Sequence, residues 1–220
     1  MAVNVNTVYK KVLALANKEQ RGYITPQDFN LFADHAQQEI FEQYFYDLNQ
    51  ASRVPGSSNE YSDTVSNLNE KIAIFEKTGI SLTLPADLYR LGTVICDGYE
   101  VEQVQQDELL LMNQSKLTAP TTKRKVYVRT GDKSIEITPT VTSNTFNYVA
   151  SPSKPNWGYI IVGDKALYNN SNSTNFELHK AEDSELVYRI LALSGIAIQK
   201  PELTQTAAAL EGAKVQQEKQ

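Results

Sequence analysis

Thr78-Gly79-Ile80-Ser81-Leu82-Thr83-Leu84-Pro85-Ala86-Asp87-Leu88-Tyr89-Arg90-Leu91-Gly92-Thr93-Val94 is the stretch on which the fold turns. Upstream of it, apolar residues recur at helical spacing. Inside it, Ile80, Leu82 and Leu84 alternate with Ser81 and Thr83 until Pro85 breaks the run. A helix is therefore expected to stop at Gly79, in the left-handed position that follows many helix ends, and a strand to begin at once. Helical spacing returns near Glu182. The chain is thus expected to be α+β, a helical bundle built from 1–79 and 182–220 with an antiparallel β-barrel or sandwich-like module inserted at 80–181.

Working back from that stretch, three helices are legible. The first is expected from Thr7 to Lys18, capped by Asn6 or Thr7, with Val8, Val12, Leu15 and Ala16 on one stripe and Gly22 closing the connection. Thr25-Pro26-Gln27-Asp28 combines a hydroxyl cap, proline at the first helical position and a carboxylate three residues on, which marks a second start. From there Phe29, Phe32, Ala33, Ala36, Ile40, Phe41, Tyr44, Phe45 and Leu48 form a long aromatic stripe, with Asn30, Asp34, Gln37, Gln38, Glu42 and Asp47 on the opposite face. Arg53-Val54-Pro55-Gly56-Ser57-Ser58 reads as a loop. The third helix carries Val65, Leu68, Ile72 and Phe75.

Working forward, Asp97-Gly98, Gly131-Asp132 and Gly163-Asp164 each separate two apolar runs and read as hairpin turns. Gln105 to Lys116 reads as a short helix, Phe146 and Tyr148 as a strand, Pro152 to Pro155 as a surface loop, and Phe176 with Leu178 as a last strand. Glu182-Asp183-Ser184-Glu185 puts carboxylates where a helix N-terminus favours them. Leu186, Val187, Ile190, Leu191, Leu193 and Ala197 form the stripe that follows. Beyond Pro201, the residues Leu203, Ala207, Leu210 and Ala213 keep helical spacing but offer little apolar bulk, the pattern of an arm that docks on a partner surface.

Composition narrows the chemistry. A chain of 220 residues with 41% hydrophobic and 21% charged residues has material for a sizeable core, and its formal net charge of −5 disfavours a general nucleic-acid binder. Lys123-Arg124-Lys125 with Arg129 forms a local basic cluster whose ordinary reading is a solvated turn. No apolar run approaches membrane-spanning length, and no secretory signal pattern opens the chain. The single Cys96 reads as a small core residue of a strand and excludes an intrachain disulfide.

Catalytic patterns are missing. His35 with Glu39, and His179, lack the further ligands that a metal site needs. No phosphate loop, dinucleotide glycine triad, nucleophile elbow or zinc-protease motif occurs. Paired carboxylates such as Asp107-Glu108 sit at helix starts, although glycosidase-type pairs leave no local signature. The twelve tyrosines suit core packing with the hydroxyl outward, or protein and sugar contact. No enzyme, no cofactor and no metal is expected.

A helical N-terminus, then Leu84-Pro85-Ala86-Asp87-Leu88-Tyr89-Arg90, a β-rich insertion, and a returning helix with Pro201-Glu202-Leu203 resembles the head-to-tail adaptors of short-tailed bacteriophages, also called tail tubular or gatekeeper ring proteins. The resemblance covers most of the chain in layout and is sharpest in that Leu-Pro-Ala-Asp-Leu-Tyr-Arg stretch and the C-terminal helix. It implies a virion structural protein made in the host cytoplasm, a homo-oligomeric ring, usually twelve-fold, at the head–tail junction. The helical part and the C-terminal arm (Leu203, Ala207, Leu210, Ala213) would meet the portal protein, and the β-part the downstream tail or nozzle protein. DNA would only pass through the lumen, and no membrane is involved. The alternative is a tail, neck or baseplate module that binds a receptor or glycan; a cell-wall hydrolase comes third.

Overall fold

The computed structural model describes residues 2–17, 24–53, 59–141, 144–163, 165–197 and 201–218. It is a mixed α/β structure. The elements run α1 (Val5–Asn17), α2 (Pro26–Arg53), α3 (Asn59–Ala73), β1 (Glu76–Gly79), β2 (Leu88–Cys96), β3 (Tyr99–Gln103), α4 (Gln106–Gln114), β4 (Val126–Arg129), β5 (Ile135–Thr138), β6 (Thr145–Ala150), β7 (Tyr159–Val162), β8 (Lys165–Tyr168), α5 (Asp183–Ala197) and α6 (Pro201–Glu218). Two compact units result: 1–74 with 152–220, and 75–151. The inserted unit thus differs from the expected 80–181. It begins with β1, and the β7–β8 hairpin belongs with the helices.

In the helical unit, α1 starts earlier than Asn6 or Thr7 would allow, because Asn4 is the cap: its Oδ1 accepts from the Thr7 N–H at 3.1 Å. Val5, Val8, Tyr9, Val12 and Ala16 are buried, whereas Leu15 is exposed. Helix α2 begins where its cap signal places it. Thr25 Oγ1 accepts from the Asp28 N–H at 3.1 Å and donates to the Asp28 carboxylate at 2.5 Å. Its expected stripe is the core of this unit, with Phe29, Ala33, Ala36, Ile40 and Phe41 essentially inaccessible.

The opposite face of α2 is buried in part. Gln37 is fully buried, donating from Nε2 to the Ser153 carbonyl (2.8 Å) and accepting at Oε1 from the Glu177 N–H (3.1 Å). Asn30 likewise grips the Trp157 N–H (2.7 Å) and Asn156 Oδ1 (2.9 Å). The segment between Pro152 and Leu178 therefore lies along α2, and Pro152 and Pro155, expected at the surface, are buried. Phe176 and Leu178 are buried as well, but they form no strand; Phe176 makes only an isolated bridge to Val3. Helix α5 packs on α1, α2 and α6, and α2 packs on α3.

The inserted unit is a six-stranded sheet in the order β1-β6-β2-β3-β4-β5. Asp97 and Gly98, both at positive φ (52° and 81°), make the turn that pairs Cys96 with Tyr99. The sheet is mixed rather than antiparallel throughout. Because α4 is the crossover between β3 and β4, those strands run parallel. One core joins Leu84, Val94, Cys96, Val101, Tyr127, Ile135, Ile137, Phe146, Tyr148 and Ala150. A smaller one packs Leu109 and Met112 of α4 on Val104, Val126 and Val128.

Two expectations fail within the opening stretch. Residues 80–84 are not a strand: Ile80 is exposed, Leu84 is buried, and Thr83 makes a single bridge to Ser134. Ser81 explains why, since its Oγ accepts from the Thr83 N–H (3.0 Å) and its carbonyl from the Asn144 side chain (3.0 Å), local bonds that compete with a ladder. That bridge is also all that links the continuation of β1 to β5 at the other edge, so among the described residues the sheet is not a closed barrel. Gly79, in turn, does not end a helix; α3 stops at Ala73 and Gly79 lies in β1 opposite Phe146. A Cβ there would stand 2.3 Å from the Phe146 ring, so the glycine makes room for an aromatic ring across the strand pair. Of the other readings, Gly22 and the loop at 54–58 lie outside the described residues.

Phe41→Ala should cost roughly 3–5 kcal/mol in the unfolding of the helical unit, measured by chemical denaturation. Gly79→Ala should cost about 1–3 kcal/mol in the wild-type background through overpacking. In a Phe146→Leu background most of that cost should vanish, and an unchanged cost would mean that the backbone, not the ring, requires glycine.

Candidate functional site

The arm expected to dock is helix α6, and its setting is built from α5 outward. Asp183–Ala197 buries Leu186, Val187, Ile190 and Leu191, with Ser194 turned inward and its hydroxyl donating to the Leu191 carbonyl at 2.9 Å. Helix α6 lies against this helix. Among its described side chains Ala207 is buried, while Leu210 and Ala213 are exposed; the side chain of Leu203 lies outside the described residues. The expected stripe is thus divided between an inward alanine and an outward pair. Gly212 in mid-helix has open space where a Cβ would stand, and glycine there weakens the helix by itself.

Charge does what apolar bulk does not. Arg189 of α5 bonds Glu185 one turn back, at 2.7 Å from Nη2 and 3.0 Å from Nε, and reaches Glu211 of α6 at 3.2 Å. It also donates to Gln43 and faces Glu39 at 3.5 Å, both on α2. One guanidinium therefore holds three helices together, using the fork geometry that a lysine lacks.

The carboxylates at the start of α5 turn out to be anchors rather than a simple complement to the helix dipole. Glu182, 1% exposed, meets Lys71 of α3 at 2.6 Å, and the same ammonium lies 5.5 Å from the Tyr44 ring centroid. Asp183 pairs with Lys11 of α1, and Glu185 with Arg189. Sequence alone could not identify Lys71 and Lys11 as partners, because each lies on another helix; only Glu185 and Arg189 share α5, at i,i+4 spacing.

The remaining candidates are accounted for by local structure. His35 faces Glu39 at 3.3 Å on an exposed surface, and His179 Nδ1 accepts from the Ala181 N–H at 3.2 Å as the cap of a short 3-10 turn. Among the described residues no three His, Cys, Asp or Glu side chains are placed to hold a metal ion. Within the basic cluster, Lys125 pairs with Asp97, Arg124 faces Glu102 at 3.9 Å, and Arg129 faces Asp132 at 3.8 Å. Asp107 and Glu108 are exposed in the first turn of α4. Burial pushes the Cys96 thiol up, against the opposing pull of Lys125, which leaves it a poor nucleophile. No described helix is long and apolar enough to cross a membrane. Comparison with protein-family models and with curated proteins finds no match for this chain.

Replacing Lys71 by Met should destabilise the helical unit by about 3–5 kcal/mol, because the buried Glu182 charge loses its partner. The double replacement Lys71→Met with Glu182→Leu should recover most of that loss in urea denaturation. A double variant as unstable as the single one would show that packing, not charge, is what Lys71 supplies.

Proposed function

We propose that the chain is a head-to-tail connector of a bacteriophage virion, a ring-forming structural protein placed between portal and tail, through which DNA passes. The observation that carries this reading is the character of α6. Among its described side chains, a buried alanine and the Arg189–Glu211 ion pair tie it to its own unit, and Leu210 and Ala213 turn outward. An ion pair has a small net value at a wet surface, so such a helix is a body-bound arm with capacity for a second contact. Repeated around a twelve-fold ring, many modest contacts become one firm junction.

Other features support the same reading. The helical unit is read as a bundle with α5 at its centre, meeting the portal, and the sheet unit as the face toward the next tail component. The Leu84-Pro85-Ala86-Asp87-Leu88-Tyr89-Arg90 stretch is the bend that starts the long strand β2, with the Leu88 N–H returning to the Pro85 carbonyl at 3.2 Å. A chain of net charge −5, with three of its four clustered basic residues facing its own carboxylates, offers DNA little to hold, as a passage must. No catalytic residue, cofactor or metal is assigned.

Deleting the residues after Lys200 should leave a protein that folds, by circular dichroism and a cooperative melt, but no longer pulls down portal rings. Truncated protein that binds portal with unchanged affinity would place the junction elsewhere and remove the main support for this reading.

A further inference from the structure

An unpaired sheet edge is a template for a further strand, and two edges in this protein are guarded against that. The outer edge of β5 is covered by 82–84: the Ile135 N–H donates to the Leu82 carbonyl at 3.1 Å, and the Leu84 N–H to the Lys133 carbonyl at 2.9 Å. The edge strand β1 carries exposed Glu76 and Lys77, with the Lys77 ammonium 2.9 Å from Asp87. The β7–β8 ribbon has neither device. It consists of two strands alone, and β7 is Tyr159-Ile160-Ile161-Val162, without charge, glycine or proline. From 156 to 176 the only charged residues are the sequence neighbours Asp164 and Lys165, which cancel. The register fixes which backbone groups of the ribbon are free. The Asn169 N–H donates to the Gly158 carbonyl at 2.8 Å, so these two residues are a bonded pair. Alternation makes Ile160–Leu167 and Val162–Lys165 bonded pairs too. The N–H and C=O of Tyr159 and Ile161 therefore point outward from β7, and those of Ala166 and Tyr168 outward from β8. Among the described residues, no backbone hydrogen bond from outside the ribbon reaches these four.

We infer that the outer edge of β8 in one copy pairs with the outer edge of β7 in the next, so that the hairpins of neighbouring copies form one continuous antiparallel sheet. Each edge offers two residues at the same spacing. In the register that the hairpin itself uses, Ala166 meets Ile161 and Tyr168 meets Tyr159 of the next copy, and about four hydrogen bonds form. Side chains agree with this on both faces. Tyr159, Ile161, Ala166 and Tyr168 share one face of the ribbon, and Ile160, Val162, Lys165 and Leu167 the other. The pairing sets Tyr168 beside Tyr159 on the first and Leu167 beside Ile160 on the second, cross-strand neighbours of the kind that stabilise sheets. Two further observations select a second copy as the occupant. An edge of two free residues gives a flexible peptide too few bonds to offset its ordering, whereas a neighbour's hairpin is already a strand anchored at its base, where Trp157 stacks on Tyr9, Tyr159 and Tyr168. Both edges are open, and pairing of like edges would leave one of them unused; pairing of unlike edges uses both and repeats until a ring closes. A ribbon of two strands is marginal in water, and this contact supplies the further strands that it lacks. The inference rests on the ring reading above and names the edges that would join the ring.

Ile161→Pro and Ala166→Pro test it on the full chain. Each removes one outward N–H, leaves the bonds inside the hairpin, and puts proline where strand edges accept it. Both variants should melt like the wild type and keep the emission of Trp157, the single tryptophan. By sedimentation velocity the wild-type protein should form species larger than dimers. Each variant alone should self-associate about tenfold or more weakly. An equal mixture should give dimers and nothing larger, because only the β8 edge of the Ile161→Pro chain and the β7 edge of the Ala166→Pro chain remain competent. Amide hydrogen exchange needs no variant: in the assembled wild type, Ile161 and Ala166 should exchange about tenfold or more slowly than in dilute protein. Four outcomes overturn the inference: variants that assemble like the wild type, a homodimer of either variant as tight as the wild-type contact, unchanged exchange at Ile161 and Ala166, or a wild-type protein that stays monomeric throughout. Portal pull-down is scored separately. Variants that assemble normally and still capture portal sink the edge pairing but leave the connector reading standing; the expected assembly pattern without any portal capture does the reverse.

Discussion

Gln37 sits fully buried in the middle of α2, and a buried primary amide has to be answered at both its oxygen and its nitrogen. The structure answers it with two backbone groups from irregular chain, the Ser153 carbonyl and the Glu177 N–H. The dependence runs both ways. The segment returning from the sheet unit has few ladder bonds of its own, and α2 supplies the partners that let it be buried. Asn30, two turns earlier, repeats the device at Asn156 and Trp157. These amides fix where Trp157 lies, and Trp157 fixes the direction in which the β7–β8 ribbon leaves the helices.

The charged side chains around α5 play a different part. Buried ion pairs add little net stability, because desolvation offsets most of their attraction, but a mispaired buried charge is costly. Lys71–Glu182 and the Arg189 cluster therefore select one arrangement of α2, α3, α5 and α6 over alternatives that would strand a charge. The difference between them is exposure. Glu182 is 1% accessible and locks α3 to α5, whereas Glu211 is 28% accessible at its side chain, so the tie on α6 is open to water and salt.

Signals carried by a few consecutive residues were legible in advance. Thr25-Pro26-Gln27-Asp28 starts α2, Asp97-Gly98 turns β2 into β3, and Asp107-Glu108 ahead of a leucine run opens α4. What escaped reading was set by distant neighbours. Gly79 looked like a helix stop because its real reason, the Phe146 ring, lies far along the chain. The burial of Gln37 left no trace in the sequence, because its partners are backbone groups that no side-chain pattern records. The alternation at 80–84 was genuine, yet Ser81 and Asn144 divert its backbone, and only Leu84 reaches the core. The arm was legible as a weak stripe; that Ala207 faces inward while Leu210 does not depends on α5 and could not be read from spacing.

The sheet unit begins and ends side by side. Phe75 and Ala150 are joined by a backbone hydrogen bond of 2.8 Å, and β1 pairs with β6 along its whole length, Glu76 opposite Val149 through Gly79 opposite Phe146. A module whose two ends are this close can be spliced into a host turn, enlarged or exchanged with little demand on the chain on either side, as with other domain insertions. The long hairpins and the α4 crossover all lie between those two clasped strands. With its ends clasped, the stretch from 75 to 151 is a self-contained cassette, and a change in its length or content makes little demand on the chain before and after it.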